Sequence, residues 1–348
     1  MIKGKHILLK LIATLLVFGV LFFLLQRLVV PKYAVNLKEG SLIREYYDEE
    51  EKDFDVILIG NCELYENFSP LVMWENYGIN SYIRGSAEQY LPQTYYLLKD
   101  TLRYETPKVM VFNVRSLLDV EARTEAYNRM TMDGMRWSKT KIDCIQASKL
   151  PEEHMVEYIF PLLRFHSRIN ELDATDFQYM FKHKKVAHNG FFFRVDTLPV
   201  GKLPSVKPLG NYSMPDGAWE YLDAIRETCE ENDMKLLLIK APSVYPHWYD
   251  EWDEQVVKYA DEHDLVYVNM LNYVDEIGID YETDTYDGGL HMNLSGAEKC
   301  SVFLGDVMVR NYRLKDRRDE EELDARWAEK KKLYDEEVQY QKELYGCE

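Results

Sequence analysis

Cysteine is scarce in this chain. Five lie in 348 residues (Cys62, Cys144, Cys229, Cys300 and Cys347), an odd number with no close pair. That spacing excludes a disulfide framework and offers no CxxC. The eight histidines form no cluster, so the sequence supports neither a metal site nor a cofactor. Positive charge is short as well: 42 Lys and Arg stand against 60 Asp and Glu, for a net charge of −18. With no basic stripe beyond the N-terminus, nucleic acid is excluded as a partner, because phosphate binding needs a basic surface. Apolar residues are not short. At 46% of the chain, with 13% aromatic and 26 Tyr, they exclude disorder and leave ample material for one large domain or two small ones.

Long hydrophobic runs are confined to one place. Ile7 to Leu25 is apolar apart from Lys10, and Leu11 to Leu25 carries no charge. About 20 residues of helix span the hydrocarbon core of a bilayer. Lys3, Lys5 and Lys10 precede the run, which keeps the N-terminus cytoplasmic by the positive-inside rule and puts the rest outside. A cleaved signal peptide is the competing reading, but Gln26–Val35 offers no small-x-small cleavage site. The expectation is a single-pass cell-membrane anchor over residues 1–31 and a polar juxtamembrane linker over 32–53.

Beyond residue 53 strands and helices alternate. Short apolar runs at Val56–Ile59, Ser81–Ile83, Val109–Val114, Lys235–Ile239 and Val266–Asn269 read as buried strands. Between them, Ser69–Tyr77 (Pro70 at its first position), Tyr90–Tyr104, Asp216–Glu231 and Glu251–His263 have helical spacing, and a last helix follows Ser295 as N-cap. This order implies an α/β fold, a parallel sheet covered by helices on both faces. The alternation pauses over about 118–205, an insertion with helical pieces at Trp137–Leu150 and Glu152–Leu172. The domain runs over 54–312. A charged tail, 313–348, reads as a helix whose Leu323, Trp327, Leu333 and Val338 form a packing stripe.

Sites in open parallel sheets form at the carboxyl ends of the strands. There this chain carries Cys62 after Gly60-Asn61, Gly85, Asn113, the loop 241–247, and late in the sequence Asp287-Gly-Gly-Leu-His291. A thiol with a distant Asp and His are the parts of a nucleophilic acyl-transfer site. A lone Cys after a buried strand is equally a small core residue. Glu63 works against a thiolate beside it unless it points away or pairs with a cation such as Arg84. The aromatic set Phe191–Phe193, Tyr245, His247, Trp248 and Tyr249 either lines a carbohydrate cleft or belongs to the core.

The blocks GNCELYENFSP, SYIRGSAEQ, PKVMVFNV and DGGLHMNLSGAEK resemble the SGNH/GDSL hydrolase superfamily over roughly residues 54–120 and 213–310. The resemblance is to its membrane-anchored bacterial form, similar to the D-alanyl-transfer proteins of teichoic acid systems and the O-acetylation proteins of alginate systems. It implies a three-layer α/β/α, flavodoxin-like domain with Cys62 in place of the nucleophilic Ser. It also implies His291 as base, and an oxyanion hole from Cys62, Gly85 and Asn113. Asp287 stands four residues before the His instead of three, so it orients the ring from a shifted loop, with Asp284 in reserve. Arg84 and Gln89 are candidate substrate contacts.

Two functions follow as expectations. One is an acyl esterase or acyltransferase on acyl groups of a cell-envelope glycopolymer; the sequence does not separate transfer from hydrolysis. The other is a catalytically silent module that binds glycan or serves as accessory partner to a membrane-bound O-acyltransferase.

Overall fold

Five apolar segments, each closed by a glycine, an asparagine or a lysine, become the sheet. They are β1 Val56–Gly60, β2 Ser81–Gly85, β3 Val109–Asn113, β4 Lys235–Lys240 and β5 Val266–Asn269. All pairings are parallel, in the order β2-β1-β3-β4-β5. The structure is a computed structural model and describes residues 2–31, 39–181 and 188–347.

Side chains alternate across the sheet. Val56, Leu58, Ile83, Val109, Val111, Leu237 and Ile239 join a core with Met73, Trp74, Leu304, Met308 and Trp327, from the helices Pro70–Tyr77, Leu294–Tyr312 and Glu321–Tyr345. On the opposite face Arg84 bonds to the helix Leu91–Thr101, and Met110 Sδ lies 3.9 Å from Cys229 of the helix Ala218–Glu231. The fold is therefore α/β with three layers.

Several boundaries differ from the sequence expectation. The 32–53 linker is partly wrong: residues 32–38 lie outside the described residues, but Glu39–Glu45 is helical and Leu42, Ile43, Tyr46 and Tyr47 are buried. Charged neighbours hid this apolar set. The helix read over Glu152–Leu172 is broken into Met155–Ile159, Leu162–Phe165 and a 3-10 turn His166–Asn170, with Pro161 between the first two, where a continuing helix would lose a hydrogen bond. A helix at Glu125–Gly134 was not expected. The helix Leu294–Tyr312 is capped by Asn293, which accepts from Gly296 N at 3.2 Å, and not by Ser295.

The Glu321–Tyr345 helix belongs to the core. Trp327 stacks on Trp74 (centroids 5.5 Å, 10° between planes) and donates to Asn80 Oδ1 at 3.2 Å. Its buried stripe is Leu323, Trp327, Tyr334 and Gln341, whereas Leu333 is 41% exposed. Phe191 and Phe193 are buried against Tyr334, so this part of the aromatic set is core and not cleft.

The sheet lies in one compact unit, residues 39–150 with 185–348; the N-terminal helix and the stretch from Pro151 form a second. In the second, Ile2–Val29 is one helix whose mean hydropathy reaches 2.7 and whose apolar span is exposed. It is long and apolar enough to cross a bilayer.

Candidate active site

In a sheet of this order the switch point lies between β1 and β3, and ligands bind at the carboxyl ends there. Cys62 stands at that place. Gly60 ends β1, Asn61 accepts from Glu63 N at 3.2 Å, and Cys62 opens a single helical turn, Cys62–Tyr65. Cys62 is half-buried and unpaired with any other cysteine.

The loop before the helix Leu294–Tyr312 delivers the histidine. Gly288 (φ +80°) and Gly289 (φ +103°) both adopt left-handed backbone, and a Cβ on Gly289 would sit 2.6 Å from Val244 Cγ2. Curled this way, the loop brings Asp287 back onto its own end. Asp287 Oδ1 accepts from the backbone N–H of His291 at 2.9 Å and of Leu290 at 3.2 Å, while Oδ2 lies 2.6 Å from His291 Nδ1. This geometry accounts for the four-residue spacing. Asp284 has no part in it: it is buried, accepting from Lys299 at 2.6 Å and Asp280 N at 2.8 Å.

Cys62 Sγ, a Glu66 oxygen and a His291 ring nitrogen all lie within 4.8 Å of one another. His291 Nε2 is buried and makes no closed hydrogen bond. Contacts of this kind are commonly long before substrate arrives. Burial alone pushes the His291 pKa down. The charges of Cys62 and Glu66 and the hydrogen bond to Asp287 outweigh it, and the imidazole is held well above its ordinary value. The same three atoms, one sulfur, one oxygen and one nitrogen, are a donor set of the kind that holds zinc.

Three residues here were not singled out from the sequence. Glu66 is four residues after Cys62, one helical turn on, and that spacing was the available signal. Its Oε2 lies 3.7 Å from His291 Nδ1 and accepts from the Tyr286 hydroxyl, whose ring lies parallel to the imidazole at 6.0 Å. Asn67 is fully buried; it accepts from Met292 N at 2.8 Å and donates to Ser243 Oγ at 3.1 Å, tying the loop after β1 to the histidine loop.

Glu63 is paired with a cation, but that cation is Lys240 (3.1 Å) and not Arg84. Lys240 is fully buried, and burial lowers its pKa against the opposing pull of Glu63. Asn113 donates to Glu63 at 2.9 Å and accepts from Ala241 N at 3.2 Å. Its amide is thus committed to a buried polar network, which corrects the expectation of an oxyanion donor. Gly85 pairs with Gly60 across β2 and β1, and a Cβ there would lie 2.9 Å from both Gly60 O and Tyr65 Cδ1, so only glycine fits.

The two expected substrate contacts are also corrected. Arg84 is fully buried, paired with Asp100 at 3.0 Å, bonded to Tyr47 and Thr101, and 4.1 Å over the Tyr46 ring. Strand alternation sends it to the face under the helix Leu91–Thr101. Gln89 is fully buried too and donates to Thr94 at 3.0 Å.

No protein-family model and no curated protein matches the chain. Solved structures similar to it include a protein of the G-D-S-L family from Desulfitobacterium hafniense DCB-2, with 12% identity and TM-score 0.36 over 73% of this chain and 99% of that one. A GDSL-like lipase from Bacteroides thetaiotaomicron VPI-5482 shows 11% identity and TM-score 0.36 over 78% of this chain and 99% of that one. A protein assigned as an acylhydrolase from Bacteroides fragilis NCTC 9343 shows 12% identity and TM-score 0.37, over 81% and 99%. At such values the functional argument rests on the geometry above.

Proposed function

We propose that the chain is an SGNH-type acyl esterase or acyltransferase, anchored by its N-terminal helix and facing outward, that acts on acyl groups of a cell-envelope glycopolymer. The observation that carries it is the meeting of Cys62, His291 and Asp287 at the sheet's switch point, where neighbouring charges raise the imidazole pKa. The resemblance of the sequence blocks supplies the substrate class; the residues supply carbonyl chemistry.

In this reading the Cys62 thiolate attacks the ester carbonyl, and the backbone N–H groups of Cys62 and Gly85 receive the oxyanion. His291 gives its proton to the leaving alkoxide as the thioester forms. It then takes a proton from the incoming hydroxyl, water or a second glycan, which releases the acyl group and restores the thiol site. Asp287 holds Nδ1–H throughout.

The test is full-length protein in detergent, incubated with p-nitrophenyl acetate and read by intact mass, beside Cys62→Ala and His291→Ala. A nitrophenolate burst with one acetyl adduct, lost in both variants, is expected. Equal slow acetylation of all three would overturn the reading in favour of a silent glycan-binding or accessory module.

A further inference from the structure

The stretch from Pro151 to Phe181 has no part in the site above, yet it is bound to one particular place: the last two turns of the apolar N-terminal helix. Leu162 N donates to Gln26 Oε1 at 2.6 Å, Arg27 Nε donates to Met180 O at 2.8 Å, and Arg168 donates to Val29 O at 2.8 Å. The last bond caps a helix-terminal carbonyl that would otherwise be left open. Phe160 packs on Phe22 with ring centroids 6.1 Å apart, and Arg27 lies 5.3 Å over the Phe181 ring.

These short helices bury Tyr158 but leave most of their large apolar side chains uncovered. Ile159, Phe160, Leu163, Ile169, Phe177 and Phe181 are 41% to 58% exposed. They are exposed beside a helix whose own Ile7 to Phe23 face outward in the same way. At about 1.5 Å per residue, Phe22 to Val29 covers roughly 10 Å of axis, so the apolar side chains flank the end of the spanning run. Whatever covers the helix there also meets them.

We propose that residues 151–181 form a collar embedded in the outer boundary of the lipid bilayer around the exit of the N-terminal helix. The occupant of its apolar face is lipid. The backbone suits that depth: short helices broken by the 3-10 turn His166–Asn170 are irregular backbone, which is tolerated at the headgroup boundary and not in lipid-exposed hydrocarbon. Arg27 and Arg168 stand at the helix end, where basic side chains suit the headgroup boundary, and Arg168 is held there by Asp176 at 3.0 Å. The collar rests on the reading of Ile2–Val29 as a spanning helix, and goes beyond the acyl-transfer chemistry proposed for Cys62.

The test uses the full chain in vesicles of phosphatidylglycerol and phosphatidylethanolamine. A photoreactive benzoyl-phenylalanine replaces, one at a time, Leu163, Phe177, Phe18 in the spanning run, and the exposed Tyr273 of the sheet unit. After irradiation, lipid adducts are read by intact mass, and unchanged thermal unfolding verifies each variant's fold. Adducts at Leu163 and Phe177 comparable with that at Phe18, and absent at Tyr273, are expected. Adducts at Phe18 alone would overturn the collar while leaving the anchor intact. Protein–protein cross-links at Leu163 and Phe177 in place of lipid adducts would also overturn it. Absence of adducts at all four positions would overturn collar and anchor together.

Discussion

Asp287 holds His291 at two points, through its ring nitrogen Nδ1 (2.6 Å) and through its backbone N–H (2.9 Å). One carboxylate therefore fixes both the position of the residue and the tautomer of the ring. Asp287→Asn keeps the size and loses the charge that favours Nδ1–H. The expected fall in kcat/KM on an activated ester is about 10²–10⁴-fold, the usual worth of a positioned acid–base group. Glu66→Gln should cost less, because Glu66 stands at 3.7 Å. A larger loss for Glu66→Gln than for Asp287→Asn would reverse the roles given to the two carboxylates.

The raised His291 pKa has a definite sign. The folded protein holds the imidazole proton more tightly than the unfolded chain, whose histidine titrates near about 6.5. The stabilisation is fully present below that value and is lost as pH rises through the folded pKa. Nitrogen-detected NMR of the imidazole should show His291 still protonated at neutral pH. The alkaline limb of kcat/KM should lie well above 6.5, and Glu66→Gln should move it down. An imidazole that titrates at its ordinary value in wild type would contradict the charged state on which the mechanism depends.

The strands were legible because each is a short apolar run bounded by a turn residue, and burial on both faces needs nothing more. The pairing of His291 with Asp287 was expected from the resemblance of the DGGLH block, against its four-residue spacing and with Asp284 in reserve; the reason for that spacing, two left-handed glycines in succession, was not legible. Arg84 shows where sequence reading stops. A cation beside Gly85 reads as a loop residue facing substrate, and only the three-dimensional placement of Tyr46, Tyr47 and Asp100 makes it an interior group. Asn113 failed similarly, because its partners Glu63 and Ala241 come from two other segments of the chain.

Arg84 therefore belongs to stability. Arg84→Ala leaves Asp100 buried beside Tyr47, with Arg103 (2.7 Å) as its remaining cation. Breaking a buried pair on one side costs about 3–5 kcal/mol. A large drop in the thermal midpoint is expected, with KM for the ester unchanged at temperatures where the variant is folded. A raised KM without loss of stability would return Arg84 to the substrate.

The C-terminal helix offers the last test, since its composition reads as solvated and its packing does not. Trp327 fills the space against Trp74 and supplies the donor for Asn80 Oδ1, whose amide in turn bonds Asp53 O at 3.1 Å. Trp327→Ala removes a buried indole and leaves an acceptor open, which together should cost about 3–5 kcal/mol. Leu333→Ala, six residues along the same helix but exposed, should stay within about 0.5 kcal/mol of wild type. Both are measured by urea unfolding of the full chain followed by far-ultraviolet circular dichroism. The two substitutions differ in burial and not in the helix they interrupt, so equal and small effects would show the helix to be an appendage. A large effect at Trp327 alone would make residues 321–345 part of the domain that holds Cys62 and His291 together.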